Sequence, residues 1–319
     1  MKSIVIYHTA AIGDSILALP VSVMLKKAFP DSRINYIAHE SIVPLLSLCP
    51  SIDGFIPYTD QPVLELRKSI QELYPDLIVD LSNSMKSISQ TVFLAKNIVR
   101  YKKDPTIHAV DNFLRTVASI CETSAENYFP CMFPPEDMKE KMRKILPQEG
   151  RRYLALVPGV GALRPHRAWP EDNWVALAKH ILWEKDHSIV LIGGPEERTL
   201  CSRIAEKIGE NCYNFAGKLS LVETATVFSM CDGTVASDTG PAHLSIACDT
   251  PVVGLYGPTL MERSGPYGCD GLTLTVSDKC KCLNRKTCSL QEGSGFCMKE
   301  IPMKLVYGNL SQIFPWNRV

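Results

Sequence analysis

The sequence predicts an α/β protein made of two doubly wound domains, each a parallel sheet with helices on its faces. Three observations carry this prediction. Short segments rich in Val, Ile and Leu recur every 20–30 residues or so, with amphipathic stretches between them, which is the spacing βαβ units require. The alternation runs twice, on either side of a polar, Pro-flanked region at 134–152. The length of 319 residues matches about two ordinary domains.

In the first half, strands are expected at 4–7, 34–38, 54–57, 77–81 and 98–101, with helices at 15–29 and 62–73. The opening Met1-Lys2-Ser3-Ile4-Val5-Ile6-Tyr7 has too short an apolar part for a signal peptide and runs directly into a turn, so it reads as the first strand. Pro20 interrupts the first helical pattern, which therefore starts near Leu19 or is kinked there. In the second half, strands are expected at 153–157, 188–192, 213–215, 234–236, 252–256 and 272–276. Helices are expected at 171–184, 196–208, 221–230 and 242–248, and 139–146 reads as a short connecting helix. The boundary is placed after residue 137, giving domains 1–137 and 138–300 and a mildly amphipathic tail, 301–319.

Composition narrows the functional classes. Hydrophobic residues at 45% and charged residues at 21% supply an ordinary globular core. Lys+Arg and Asp+Glu both number 34, and this balance argues against a nucleic-acid partner, which usually draws a basic excess. The short run Arg100-Tyr101-Lys102-Lys103 reads as a solvated loop. No apolar run approaches the ~18 residues of a membrane span, and without an export signal a cytoplasmic location is expected. Of the twelve cysteines, Cys49, Cys121, Cys201, Cys231 and Cys248 sit in apolar contexts as small core residues. Cys280, Cys282, Cys288 and Cys297 cluster, but their spacing lacks the paired C-x-x-C knuckles of standard zinc sites. Zinc, an iron–sulfur cluster and disulfides stay open for these four, with structural or redox-exposed thiols favoured.

The most informative stretch is Ser237-Asp238-Thr239-Gly240-Pro241-Ala242-His243, between an apolar strand and an apolar helix. Gly240 permits close backbone approach and Pro241 suits a first helical turn. The uncapped N–H groups of such a helix favour an anion, typically a phosphate, at the strand end where open α/β sheets bind ligands. An ordinary N-cap by Asp238 or Thr239 is the alternative. The loop Pro158-Gly159-Val160-Gly161-Ala162-Leu163-Arg164-Pro165-His166-Arg167 places two guanidinium groups at another strand end, and Arg164 and Arg167 together could neutralise a diphosphate without a metal. His243 lies beside the phosphate turn, where it could reach a phosphate or a sugar hydroxyl. Ser220-Leu221-Val222-Glu223 fits a capping box, although Glu223 could also hydrogen-bond a ribose diol. In the first βα turn, Ile12-Gly13-Asp14 offers a carboxylate that could act as a general base or as an N-cap for a helix beginning at Ser15. Neither a Walker loop nor a G-x-G-x-x-G fingerprint is present.

Taken together, these residues resemble glycosyltransferase family 9, the ADP-heptose:lipopolysaccharide heptosyltransferases. The resemblance spans nearly the whole chain. It rests on Ile12-Gly13-Asp14, Pro20, Asp31-Ser32-Arg33-Ile34, Pro50-Ser51-Ile52-Asp53, Pro158-Gly159, Trp169-Pro170, Gly193-Gly194-Pro195, Leu219-Ser220-Leu221, Asp238-Thr239-Gly240-Pro241-Ala242-His243 and Tyr256-Gly257-Pro258-Thr259. Each fragment is weak; their order and spacing are specific. The resemblance implies a GT-B fold of two Rossmann-like domains facing a cleft, acceptor domain first, with the tail crossing back onto it. It implies an inverting transfer of heptose from ADP-heptose to a lipopolysaccharide core acceptor, with no cofactor and no metal, at the inner face of the cytoplasmic membrane. Asp14 would be the general base. Thr239 and Gly240 would hold the diphosphate, Asp238 and His243 would shape that pocket, and Glu223 would hold the ribose. Arg167 stands where the family commonly has a lysine, and Arg164 or His166 would share its task. Three other readings remain, two of them enzymes: a transferase using another nucleotide-sugar, and an isomerase like the nucleotide-sugar 2-epimerases. A non-enzymatic nucleotide-sugar or glycan-binding protein is a third.

Overall fold

The computed structural model describes every residue except 60–61, 125–126, 147–151, 185–186, 281, 284, 286–287, 289–296 and 314–319. The chain forms two compact units, Met1–Phe133 and Pro134–Val319, so the division falls slightly ahead of the expected boundary.

In the first unit, β1 (Ser3–Tyr7) leads through α1 (Ile12–Leu17) and α2 (Leu19–Ala28) to β2 (Arg33–His39). A short α3 (Val43–Leu46) precedes β3 (Gly54–Tyr58), α4 (Val63–Gln71), β4 (Leu77–Asp80), α5 (Met85–Thr91), β5 (Asn97–Arg100) and α6 (Ala109–Cys121). All five strands pair in parallel in the order β3-β2-β1-β4-β5. Covered on both faces, a parallel strand needs a nearly continuous apolar run, and Ile4, Val5 and Ile6 are fully buried. Two helices replace the single expected one, because the chain breaks at Ala18 and Pro20 falls in the first turn of α2, where its missing N–H costs nothing. Moreover, α1 begins at Ile12 with Ala11 as its N-cap. Asp14 is therefore inside the first turn rather than capping a helix from Ser15, and its charge suits the positive helix end.

The second unit opens with α7 (Glu136–Arg143), followed by β6 (Arg152–Val157), α8 (Glu171–Glu184), β7 (His187–Leu191), α9 (Arg198–Ile208), β8 (Cys212–Asn214), α10 (Leu221–Phe228), β9 (Gly233–Ser237) and α11 (Gly240–Ala247). It closes with β10 (Val252–Tyr256), α12 (Met261–Ser264), β11 (Leu274–Thr275) and α13 (Met303–Ile313). The parallel sheet order is β11-β10-β9-β6-β7-β8. In each sheet the chain starts centrally, winds outward to one edge, then returns to the other side of its first strand. The switch points thus lie between β1 and β4 and between β6 and β9, the places where open α/β sheets bind ligands.

The tail helix packs into the second unit's core. Val306 and Leu310 of α13 are fully buried in the second unit's own core, with Trp169, Trp174, Met298 and Ile301. The described part of the tail thus completes the second unit's core; residues 314–319 lie outside the described residues. An apolar stripe reveals that a helix must be covered, but not which domain covers it.

Candidate active site

At the switch point of the second unit, β9 ends in buried Ser237 and the chain turns through Asp238 and Thr239 into α11. Thr239 occupies the N-cap position in extended conformation, yet its side chain makes no capping bond. Its hydroxyl instead donates back to the Ser237 carbonyl at 3.2 Å. The first N–H groups of a helix have no intrahelical acceptor. With Pro241 supplying none, the backbone at Gly240 is the donor this turn presents at the helix's positive end.

Asp238 is not a cap either; it is the hub of a polar cluster. Arg167, at the end of a 3-10 turn (Pro165–Arg167) after β6, brings Nη1 to 2.6 Å from Asp238 Oδ2 and donates to the Asp238 carbonyl at 3.2 Å. Thr259 Oγ1 donates to Asp238 Oδ2 at 2.6 Å. The fully buried Tyr256 sends its hydroxyl to the Ser264 carbonyl at 2.8 Å, and burial together with the Asp238 charge pushes its pKa well above the usual tyrosine value. Burial lowers the pKa of Arg167, an effect the Asp238 charge opposes and Arg164 reinforces. Arg164 thus lies close enough to be felt by Arg167, and the buried Asp238 carboxylate sits against Arg167. Arg167 Nε and His166 Nε2 are buried without a hydrogen-bond partner among the described residues. Burial, then the repulsion of Arg167, lowers the His166 pKa. This donor set fits an anionic ligand with several acceptor oxygens.

Glu223 takes up its structural role in full. Ser220 and Glu223 form the reciprocal capping box of α10, the Ser220 N–H reaching Glu223 Oε2 at 2.8 Å. Lys141 of α7 reaches Oε1 at 2.7 Å, and these donors, Lys141 first, lower the Glu223 pKa to about 2. His243, one turn into α11, is buried.

In the first unit, the switch point carries two carboxylates with different fates. Asp80, at the end of β4, is fully buried and accepts from the Ser82 and Asn83 N–H groups at 3.1 and 2.9 Å, from Ser87 Oγ at 2.8 Å, and from Arg100. Its acceptor capacity is committed to the fold. Asp14, after β1, is exposed, so it is the carboxylate at this edge that a substrate can reach.

The thiols of the clustered cysteines are mutual neighbours. Cys280 and Cys282 place their sulfurs 3.5 Å apart, and burial with the neighbouring Cys280 and Cys288 thiols pushes Cys282 up to about 12. Among the described residues no group of three or more His, Cys, Asp or Glu could hold a metal ion; Cys288 and Cys297 remain unbridged, as do the other ten cysteines. Sequence reasoning gave no role to Thr259, Tyr256 or Asp80, whose contacts join residues distant in the chain.

Two Rossmann-like units in succession, each with a turn at its switch point, define the GT-B fold. Residues 81–293 match glycosyltransferase family 9 (heptosyltransferase), and the chain belongs to that family. It is 25% identical over 312 residues to lipooligosaccharide heptosyltransferase 2 of Haemophilus ducreyi, covering 86% of this chain and 89% of that protein. The structure of Escherichia coli ADP-heptose LPS heptosyltransferase II superposes with a TM-score of 0.77 at 20% identity, covering 98% of both chains. A family 9 glycosyltransferase from Veillonella parvula superposes with a TM-score of 0.81 at 20% identity, covering 98% of this chain and 97% of that one.

Proposed function

We propose that this chain transfers heptose from ADP-heptose to a lipopolysaccharide core acceptor, with inversion at the anomeric carbon. The observation that carries the donor half is the Arg167–Asp238 contact across the switch point, beside the uncapped start of α11. As the glycosidic bond breaks, negative charge grows on the departing diphosphate. Arg167, Arg164 and the Gly240 backbone meet that charge with donors fixed in advance, which is the most effective form of electrostatic catalysis. These cations can supply the neutralisation that a divalent metal gives in other transferases, so the reaction is proposed to be metal-independent. Thr239 and His243 border the same oxygens, and Asp238 holds Arg167 in orientation. Glu223 holds the ribose diol through the acceptor capacity left by Ser220 and Lys141. Asp14 takes the proton from the acceptor hydroxyl as it attacks.

The family match favours transfer over the isomerase and the non-catalytic readings. No helix among the described residues is long and apolar enough to cross a membrane; contact with the inner face of the cytoplasmic membrane is proposed to come through the lipid-borne acceptor. The test is thermal unfolding in EDTA with ADP, UDP, GDP or CDP. A nucleotide at 100 times its dissociation constant adds about 2.7 kcal/mol of stability. Selective stabilisation by ADP supports the proposal, preference for UDP or GDP replaces the donor, and no shift with any nucleotide rejects the donor site.

A further inference from the structure

The two glycine pairs after β6 and β7, Gly159/Gly161 and Gly193/Gly194, are not explained by any contact described so far. Their reason lies in one half-buried side chain that follows β7, Glu197. A Cβ on Gly159 would stand 2.0 Å from Glu197 Cγ, and one on Gly193 would stand 2.9 Å from Glu197 Cβ. The side chain is threaded between the two loops, and only glycine leaves room for it. Its carboxylate then ties them together: Oε2 accepts the Gly194 N–H at 2.7 Å and Oε1 accepts the Gly161 N–H at 3.2 Å. The adjacent Glu196 accepts the Ala162 N–H at 3.3 Å.

The position of Gly161 passes along the loop. Gly161 has φ +70°, a conformation that favours glycine. Its carbonyl accepts the Arg164 N–H at 3.4 Å, and the Arg164 carbonyl accepts the Arg167 N–H at 3.0 Å. A continuous series of short contacts thus runs from the Glu197 carboxylate through Gly161 and Arg164 to Arg167 and Asp238. We propose that Glu197 is a positioning residue for donor binding: it fixes the 159–167 loop so that Arg164 and Arg167 face the diphosphate. It touches no reacting atom. The proposal rests on the donor reading given above.

The test compares Glu197→Gln, Glu197→Ala, Gly159→Ala and the double variant Glu197→Ala/Gly159→Ala with the wild-type protein. The readouts are ADP affinity by calorimetry and the unfolding temperature. In Glu197→Gln the amide nitrogen can accept from neither loop, so ADP affinity is expected to fall about tenfold, the equivalent of one lost charge-assisted bond, with little change in unfolding temperature. Gly159→Ala alone is expected to weaken ADP binding as well. In the double variant the added methyl meets no carboxylate stem, so its ADP affinity is expected to equal that of Glu197→Ala alone, a strong coupling between contacting sites. Unchanged ADP affinity in both Glu197 variants overturns the proposal. So does a loss that follows the fall in unfolding temperature in every variant with no coupling to Gly159, which makes Glu197 a folding residue only. A wild-type protein that binds no nucleotide refutes the donor reading instead, a result separate from either.

Discussion

Arg167 Nη1 and Asp238 Oδ2 lie 2.6 Å apart, joining the segment after β6 to the segment after β9 across the second unit's switch point. A guanidinium this deeply placed serves two masters, the fold through Asp238 and the ligand through its remaining donors. Arg167→Ala leaves the buried Asp238 carboxylate without its cation. Breaking one partner of a buried pair costs about 3–5 kcal/mol, so a clear drop in unfolding temperature is expected along with the loss of ADP binding. Arg167→Lys is expected to keep most of the stability but to bind ADP more weakly, since an ammonium cannot make the forked contact. Equal ADP affinity in the lysine variant and the wild type would show that charge alone is read at this position.

Asp14 is expected to behave differently. It is exposed in the first turn of α1, so Asp14→Asn should cost only the charge it places at the helix's positive end, about 0.3–1 kcal/mol. Turnover with a nucleotide-heptose and an acceptor should fall by about 10²-fold or more, as for loss of a general base, while ADP affinity stays the same. A variant that retains its rate removes Asp14 from the chemistry.

Glu223 separates a structural role from a ligand role. Glu223→Ala removes the capping box and the Lys141 contact, at a cost of about 0.5–2 kcal/mol. If Glu223 also holds the ribose, the variant loses affinity for ADP but not for inorganic diphosphate. If both affinities fall together or neither falls, Glu223 is a cap alone. The depressed pKa of Glu223, to about 2, adds a pH signature. The stabilisation is present above the ordinary glutamate pKa and is lost as pH falls through the range from about 4.5 towards 2, and this loss should be missing in Glu223→Gln.

His8, buried at the end of β1 with Nδ1 3.2 Å from the Tyr36 hydroxyl, has its pKa lowered by burial to about 4. The unfolded chain binds this proton at a higher pH than the folded one. Stability is therefore lost as pH falls from about 6.5 towards 4, by an amount on the order of 3 kcal/mol. Unfolding temperatures measured across this range should decline less steeply in His8→Gln. An identical slope would assign the acid sensitivity to other groups.

The sheets were legible because parallel strands, buried on both faces, write continuous apolar runs into the sequence. All eleven observed strands fall on expected segments, and the turn into α11 was legible from Gly240 and Pro241 beside such a run. Other elements were less visible. In α6 the buried Val110, Phe113, Leu114 and Val117 have helical spacing, but Asp, Asn, Thr and Ser between them weaken the propensity signal. The opening of α1 was hidden by Gly13, which reads as a turn residue although it sits in a first helical turn. At the site, Asp238 was recognised as a terminus residue, whereas its commitment to Arg167, 71 residues away, and to Thr259 leaves no trace in local periodicity. The same holds for Glu197, which looked like the first turn of an ordinary helix. Side chains that close loops over long separations are written in the fold, not in the window around them.

Trp169 sets a last expectation within the second unit. Its indole N–H donates to the Ile301 carbonyl at 2.9 Å, and its ring packs edge-on against Trp174 with centroids 5.0 Å apart. Trp169→Phe keeps most of the packing and removes the bond, leaving the Ile301 carbonyl unsatisfied at a cost of about 1–3 kcal/mol. That is roughly 2–4 °C in unfolding temperature per kcal/mol for a unit of this size, readable by calorimetry. No change would mean that the carbonyl finds another donor.

That α13 lies inside the second unit's core has a consequence for synthesis on the ribosome. The first unit's strands and helices are all encoded before Phe133, so it can collapse while translation continues, as domains generally do. The second unit has no such freedom. Until Val306 and Leu310 leave the exit tunnel, the faces of α8 and β10 that they cover stay open to water and to chaperones. A nascent chain stalled shortly before these residues would therefore carry one finished half and one adhesive half, and it is the second that a quality-control protease would find first.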